Sequence, residues 1–104
     1  MENMNFGDAI KALKEGKKVT RKGWNGNKLL NNNESLPNMY LWFKPETTIK
    51  SEWCKDPILK EIVDANGGEI EALSTICLKT ADNKIRTGWC PTQTDIFSED
   101  WLTF

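Results

Sequence analysis

The sequence predicts an α+β domain: an antiparallel β-sheet with an N-terminal amphipathic helix, a second helix in mid-chain and a short C-terminal helical turn. Three observations predict it. Apolar residues recur at helical spacing in Phe6, Ala9, Ile10 and Leu13, and again in Ile58, Leu59, Ile62 and Val63, stripes of the kind one helix face buries. Met39-Tyr40-Leu41-Trp42-Phe43 is rich in aromatic residues and reads as a strand. Asp82-Asn83 sits between two strand-like runs, where a two-residue hairpin turn belongs. Together they describe helices laid on one side of an antiparallel sheet.

Taken in order, Asn5 is placed to cap the first helix, Asp8 lies in its first turn and Gly16 ends it. Lys17 to Arg21 follows as a short strand. Gly23-Trp24-Asn25-Gly26 then reads as a turn, because Gly and Asn tolerate positive φ. Residues 27–38, with Asn31-Asn32-Asn33 and Pro37, carry turn chemistry without periodicity and read as a loop insertion. In the strand 39–43, Met39, Leu41 and Phe43 share one face while Tyr40 and Trp42 take the other. Both faces are therefore apolar, and each calls for a cover. Asp56-Pro57 caps and opens the second helix, over about 55–66, and Gly67-Gly68 stops it. Ile70 to Lys79 is the longest strand candidate, with Ala72, Ile76 and Leu78 on one face, and Lys84 to Gly88 returns beside it. A helical turn near Gln93 to Ser98 and a strand from Trp101 to Phe104 finish the chain.

Composition limits the function. The 104 residues, 38% hydrophobic and 28% charged, suit one globular domain spanning 1–104. Five tryptophans and no histidine equip the chain better to hold something flat than to cut something. A net charge of −1 lacks the basic excess that a duplex nucleic-acid binder wants. No apolar run approaches the roughly 20 residues of a membrane span, and the N-terminus has no signal-peptide layout, so a cytoplasmic location is expected. Cys54, Cys77 and Cys90 are odd in number and widely spaced. They are expected to be free, buried thiols, with no metal site and no cofactor.

Three constellations have two readings each. Lys14, Lys17, Lys18, Arg21 and Lys22 crowd the approach to Trp24. They form either a phosphate-attracting rim beside a stacking ring, as in single-strand binders, or a solvated helix end, which is the preferred reading. Asp95, Glu99 and Asp100 resemble paired carboxylates, yet Thr92 and Asp95 have the spacing of a capping box and the other two read as surface residues. Trp24, Trp42, Trp89 and Trp101 fall at strand ends or turns, and one or two of them are expected to line a pocket or an interface.

The runs Asn5-Phe6-Gly7-Asp8-Ala9-Ile10, Gly16-Lys17-Lys18-Val19, Arg21-Lys22-Gly23-Trp24-Asn25-Gly26 and Met39-Tyr40-Leu41 resemble a small phage and bacterial family. So do Leu78-Lys79-Thr80-Ala81-Asp82-Asn83, Gly88-Trp89, Pro91-Thr92-Gln93-Thr94-Asp95-Ile96 and Glu99-Asp100-Trp101. The chain is identified by these motifs as resembling the Thoeris anti-defence proteins of the second type. The insertion at 27–38 and a variable segment at 44–70 depart from the pattern. The resemblance implies a non-catalytic sponge, a homotetramer with pockets between subunits. Its ligand would be a cyclic ADP-ribose isomer made by TIR-domain enzymes, with cyclic oligonucleotides as a further ligand class.

On that reading Trp24 is the adenine platform, with Phe6 or Trp89 as a second wall. Gly23, Asn25 and Gly26 would donate to the pyrophosphate, Arg21 or Lys22 would supply charge, and Thr92, Gln93, Thr94 and Asp95 would meet the ribose hydroxyls. The alternative is a single-stranded nucleic-acid binding module. An enzyme degrading the messenger, with Asp95 or Glu99 as base, stands last.

Overall fold

A computed structural model describes residues 3–24 and 37–104. Its elements are α1 (Phe6–Lys14), β1 (Val19–Arg21), β2 (Tyr40–Lys44), β3 (Thr47–Lys50), a 3-10 turn (Ser51–Trp53), α2 (Pro57–Ala65), β4 (Glu69–Ala72), β5 (Thr75–Lys79), β6 (Ile85–Thr87), α3 (Gln93–Phe97) and β7 (Trp101–Thr103). The fold is α+β, as the sequence predicts, and divides into two compact units, Met1–Lys44 with Thr75–Phe104, and Pro45–Ser74.

The first unit is built on an antiparallel sheet of order β6-β5-β2-β1-β7. α1 forms where the stripe predicts it. The Asn5 side chain accepts from the Asp8 N–H at 2.8 Å, and Gly16 at φ 88° lets the chain leave the helix in a conformation that a Cβ would disfavour. The core is Ala9, Ala12 and Leu13 of α1 packed on Val19, Leu41, Leu78 and Trp101, with Met4 closing the edge beside Trp101. Fully burying residues such as Leu13 and Leu41 stabilises the fold by about 1.5–3 kcal/mol each.

Strand register places Val19, Arg21, Leu41, Phe43, Leu78 and Trp101 toward this core. Tyr40 and Trp42 occupy the other face as predicted, and Phe104 joins them: the Tyr40 and Phe104 rings lie 5.4 Å apart edge to face. Lys18 belongs to that second face too, its Nζ 4.8 Å from the centre of the Phe104 ring.

The second unit interrupts the β2–β5 hairpin, whose last partners are Lys44 and Thr75. Its β3 and β4 pair antiparallel from Thr47 with Ala72 to Lys50 with Glu69. α2 is capped by the Asp56 carboxylate, which accepts from the Ile58 N–H at 2.9 Å, and Val63 is its fully buried residue. This unit overlaps the segment set apart at 44–70.

Four expectations need correction. Ile70 to Lys79 is not one strand: it breaks at Leu73-Ser74, because its two halves pair with different partners in different sheets. The missing partner, β3, was not predicted at all. Only part of the α2 stripe is covered, since Ile58 and Ile62 stay exposed. The hairpin connection spans residues 80–84, closed by Thr80 N–H on the Lys84 carbonyl, with Asn83 at φ 64°. The cysteines are all free, but only Cys77 is buried: Cys54 is half-buried and Cys90 exposed. Among the described residues, no helix is long and apolar enough to cross a membrane.

Candidate functional site

Arg21, the last residue of β1, faces inward because it is two residues beyond Val19 in a strand of period two. A cation there requires partners. Its Nη1 donates to Asp95 Oδ1 at 2.6 Å and its Nε to Asp100 Oδ1 at 2.8 Å. The side chains of Arg21 and Asp95 are only 10% and 8% exposed, so this pair is held largely out of water. Burial works against the Arg21 charge, but hydrogen bonds from its guanidinium to Asp100 and Asp95 outweigh that and raise its pKa further.

Asp95 is the hub. Thr92 and Asp95 form the capping box the spacing predicts: the Thr92 hydroxyl accepts from the Asp95 N–H at 3.2 Å, and Asp95 Oδ2 accepts from the Thr92 N–H at 2.9 Å. Oδ1 also accepts from the Trp24 indole N–H at 3.0 Å, and the Asp95 backbone carbonyl accepts from the Trp101 indole at 3.0 Å. Burial pushes the Asp95 carboxyl up, but the Trp24 indole, the Thr92 N–H and Arg21 together hold it below the ordinary carboxylate range. Asp100 behaves alike: burial raises it, and Arg21 and the Gly23 N–H bring it lower.

These bonds set the aromatic cluster. Trp24 meets Trp101 edge to face at 5.4 Å and Trp89 at 6.1 Å, and Phe6 lies 5.6 Å from Trp101. Trp101 is fully buried, whereas Trp24 and Trp89 are half-buried. Gly23 has a specific reason to be glycine. A Cβ there would stand 2.7 Å from Asp100 Oδ2, the oxygen that accepts from the Gly23 N–H. Close approach sets this residue, rather than the positive φ expected from the turn. Among the described residues no group of three or more His, Cys, Asp or Glu converges as metal ligands would.

A family model described as the Thoeris anti-defense 2-like domain matches residues 4–104. The chain belongs to that family. It is 35% identical over 105 residues to "Thoeris anti-defense 2" of Bacillus phage SP01, a match covering 94% of this chain and 91% of the relative.

For this family member, the structure brings together Phe6, Arg21, Gly23, Trp24, Trp89, Thr92 and Asp95 from both ends of the sequence. Gln93 and Thr94 are exposed in the first turn of α3. Asn25 and Gly26, with most of the segment 27–38 expected to be a loop insertion, lie outside the described residues. The basic run is dispersed: Lys17 pairs with Glu15 at 3.3 Å, Lys18 stands on the other sheet face, and Arg21 is held between two carboxylates. Asp100, read as a surface residue, is part of the network. The signal for it was Arg21 at an inward position, which demands acidic partners. Sequence reasoning also left Trp101 among four equivalent tryptophans, yet it is the largest fully buried side chain among the described residues. A cleft of about 270 Å³ is lined by Met4, Asp8, Lys11, Ala12, Glu15, Lys17 and Thr103, none of them an expected ligand residue.

Proposed function

We propose that this chain is an anti-defence sponge that binds a cyclic ADP-ribose-type immune messenger and sequesters it without cleavage, so that the downstream effector is not activated. Family membership supports the biological role, and the Asp95-centred network supports the absence of catalysis. General-base chemistry needs a carboxylate or imidazole poised near the working pH. Here Asp95 and Asp100 accept from Arg21, Trp24, Thr92 and Gly23, and their pKa values are lowered rather than raised. Carboxylates so engaged are scaffold.

On this reading the accessible parts of Trp24 and Trp89 are the platform for a base; the Gly23 N–H is already given to Asp100, so the pyrophosphate donors expected of this run fall to Asn25 and Gly26, which lie outside the described residues. Thr92, Gln93 and Thr94, at the start of α3, meet ribose hydroxyls. Arg21 orients Trp24 through Asp95, so the cationic contact passes to Lys22. None of these residues lines the cleft of about 270 Å³ beside α1, so that cleft does not enclose the ligand. A pocket completed by a second subunit, within a homo-oligomer that the resemblance makes a tetramer, supplies the enclosure. Dispersal of the basic run weighs against the single-stranded nucleic-acid alternative.

The test is to incubate the protein with the cyclic messenger, remove free ligand and denature the protein by heat. Intact messenger released on denaturation is the expected result. A linearised product, or no retained ligand, would sink the reading.

A further inference from the structure

The unit at Pro45–Ser74 presents apolar surface that its own small sheet does not cover. Along α2, Val63 is fully buried, while Ile58 is 70% and Ile62 50% exposed. These two isoleucines stand one helical turn apart and share a face with Glu61 and Ala65. The unit is also acidic: residues 45–74 hold seven of the chain's 15 acidic residues and three of its 14 basic ones, a net of −4. The remainder, with eight acidic and eleven basic residues, carries +3.

The large sheet has a surface of opposite character. On the face turned away from α1, register places Lys44 and Lys79 beside Tyr40 and Trp42, and Lys18 lies over Phe104. Among the described residues, no acidic one belongs to a strand position on that face. Its aromatic rings are half-buried. Lysines seated on aromatic rings form a basic, apolar surface, and a partner that is acidic and apolar complements it in both respects.

We propose that the face of α2 carrying Ile58, Glu61 and Ile62, on this acidic unit, docks on the lysine-and-aromatic sheet face of a second copy of this chain. The two surfaces differ, so the contact pairs unlike patches of two copies of the chain. The inference rests on the oligomeric form of the sponge reading. It assigns the inserted unit a role in assembly and predicts that assembly weakens as salt rises, since Lys18, Lys44 and Glu61 are exposed and salt screens their attraction.

A charge-swap experiment tests it. One variant carries Lys18→Glu with Lys44→Glu, and another carries Glu61→Lys with Ile62→Lys; all four positions are exposed, and thermal melts verify folding. Light scattering of the wild type should give a multiple of 11.9 kDa. Each variant alone should dissociate with a constant raised on the order of tenfold or more, and mixing the two should restore a heteromeric complex. A wild type at 11.9 kDa over the whole concentration range would overturn the proposal. Variants that assemble like the wild type, or dissociated variants that mixing does not rescue, would overturn it equally. Messenger retention is measured in parallel on the wild type, so an assembled protein that retains no ligand refutes the sponge reading and leaves the docking result standing.

Discussion

Replacing Asp95 with alanine removes three acceptor contacts at once, to Arg21, Trp24 and the Thr92 N–H, at 2.6, 3.0 and 2.9 Å. Breaking a buried ion pair from one side costs about 3–5 kcal/mol, because the remaining charge is left in a poor solvent. Here Asp100 keeps its bond to Arg21 Nε, which places the expected loss at about 3 kcal/mol, the low end of that range. For a domain of this size each kcal/mol moves the melting temperature by about 4–8 °C, so Asp95→Ala should melt about 12–24 °C below the wild type. Asp100→Ala is the comparison. Its side chain is 29% exposed and water screens its pairing, so the expected cost is about 1 kcal/mol. Circular dichroism melts of both variants, with Arg21→Ala and the Arg21→Ala/Asp95→Ala double variant, complete a cycle that isolates the pair. If Asp95→Ala melted within about 3 °C of the wild type, or below Asp100→Ala by nothing measurable, the account of Asp95 as the hub would be refuted.

Acid should act through the same groups. Asp95 and Asp100 have folded pKa values lower than the unfolded value of about 3.9, so the stability they contribute is fully present above that value. It is lost as pH falls through the lowered folded values, so melting temperature should hold down to about pH 4 and drop below it. The Asp95→Asn/Asp100→Asn variant should lose much of that drop; an unchanged acid limb would count against the assignment. Trp24→Phe keeps the edge-to-face packing but removes the indole bond to Asp95, at a cost of about 1 kcal/mol. Trp24→Ala should cost about 3 kcal/mol and abolish messenger retention, read by melting and by ligand release. Joining Lys44 to Thr75 through Asn-Gly in place of residues 45–74 should leave the first unit folded, because all of its core residues lie outside that segment. Mass measurement should find that product monomeric, and loss of its cooperative melt would show that the unit is needed for folding.

Local physics determined much of this protein directly from sequence. Phe6, Ala9, Ile10 and Leu13 with the Asn5 cap specify α1, Asp56-Pro57 specifies the start of α2, and Thr92 with Asp95 specifies the start of α3. Each involves residues within one or two helical turns of each other, and the chemistry of spacing and capping acts at that range. The alternation of Tyr40 to Phe43 likewise announced two apolar faces before any sheet was seen. Tertiary structure decided whatever depended on a distant partner. The run from Ile70 to Lys79 has one unbroken strand pattern, yet Thr47–Lys50 claims its first half and Tyr40–Lys44 its second. Arg21 looked like a surface cation in a basic run until register with Trp101 turned it inward and set it between Asp95 and Asp100, more than seventy residues away. Hydrogen-bond partners at that separation are chosen by how strands align across the sheet, and no window of neighbouring residues contains that alignment.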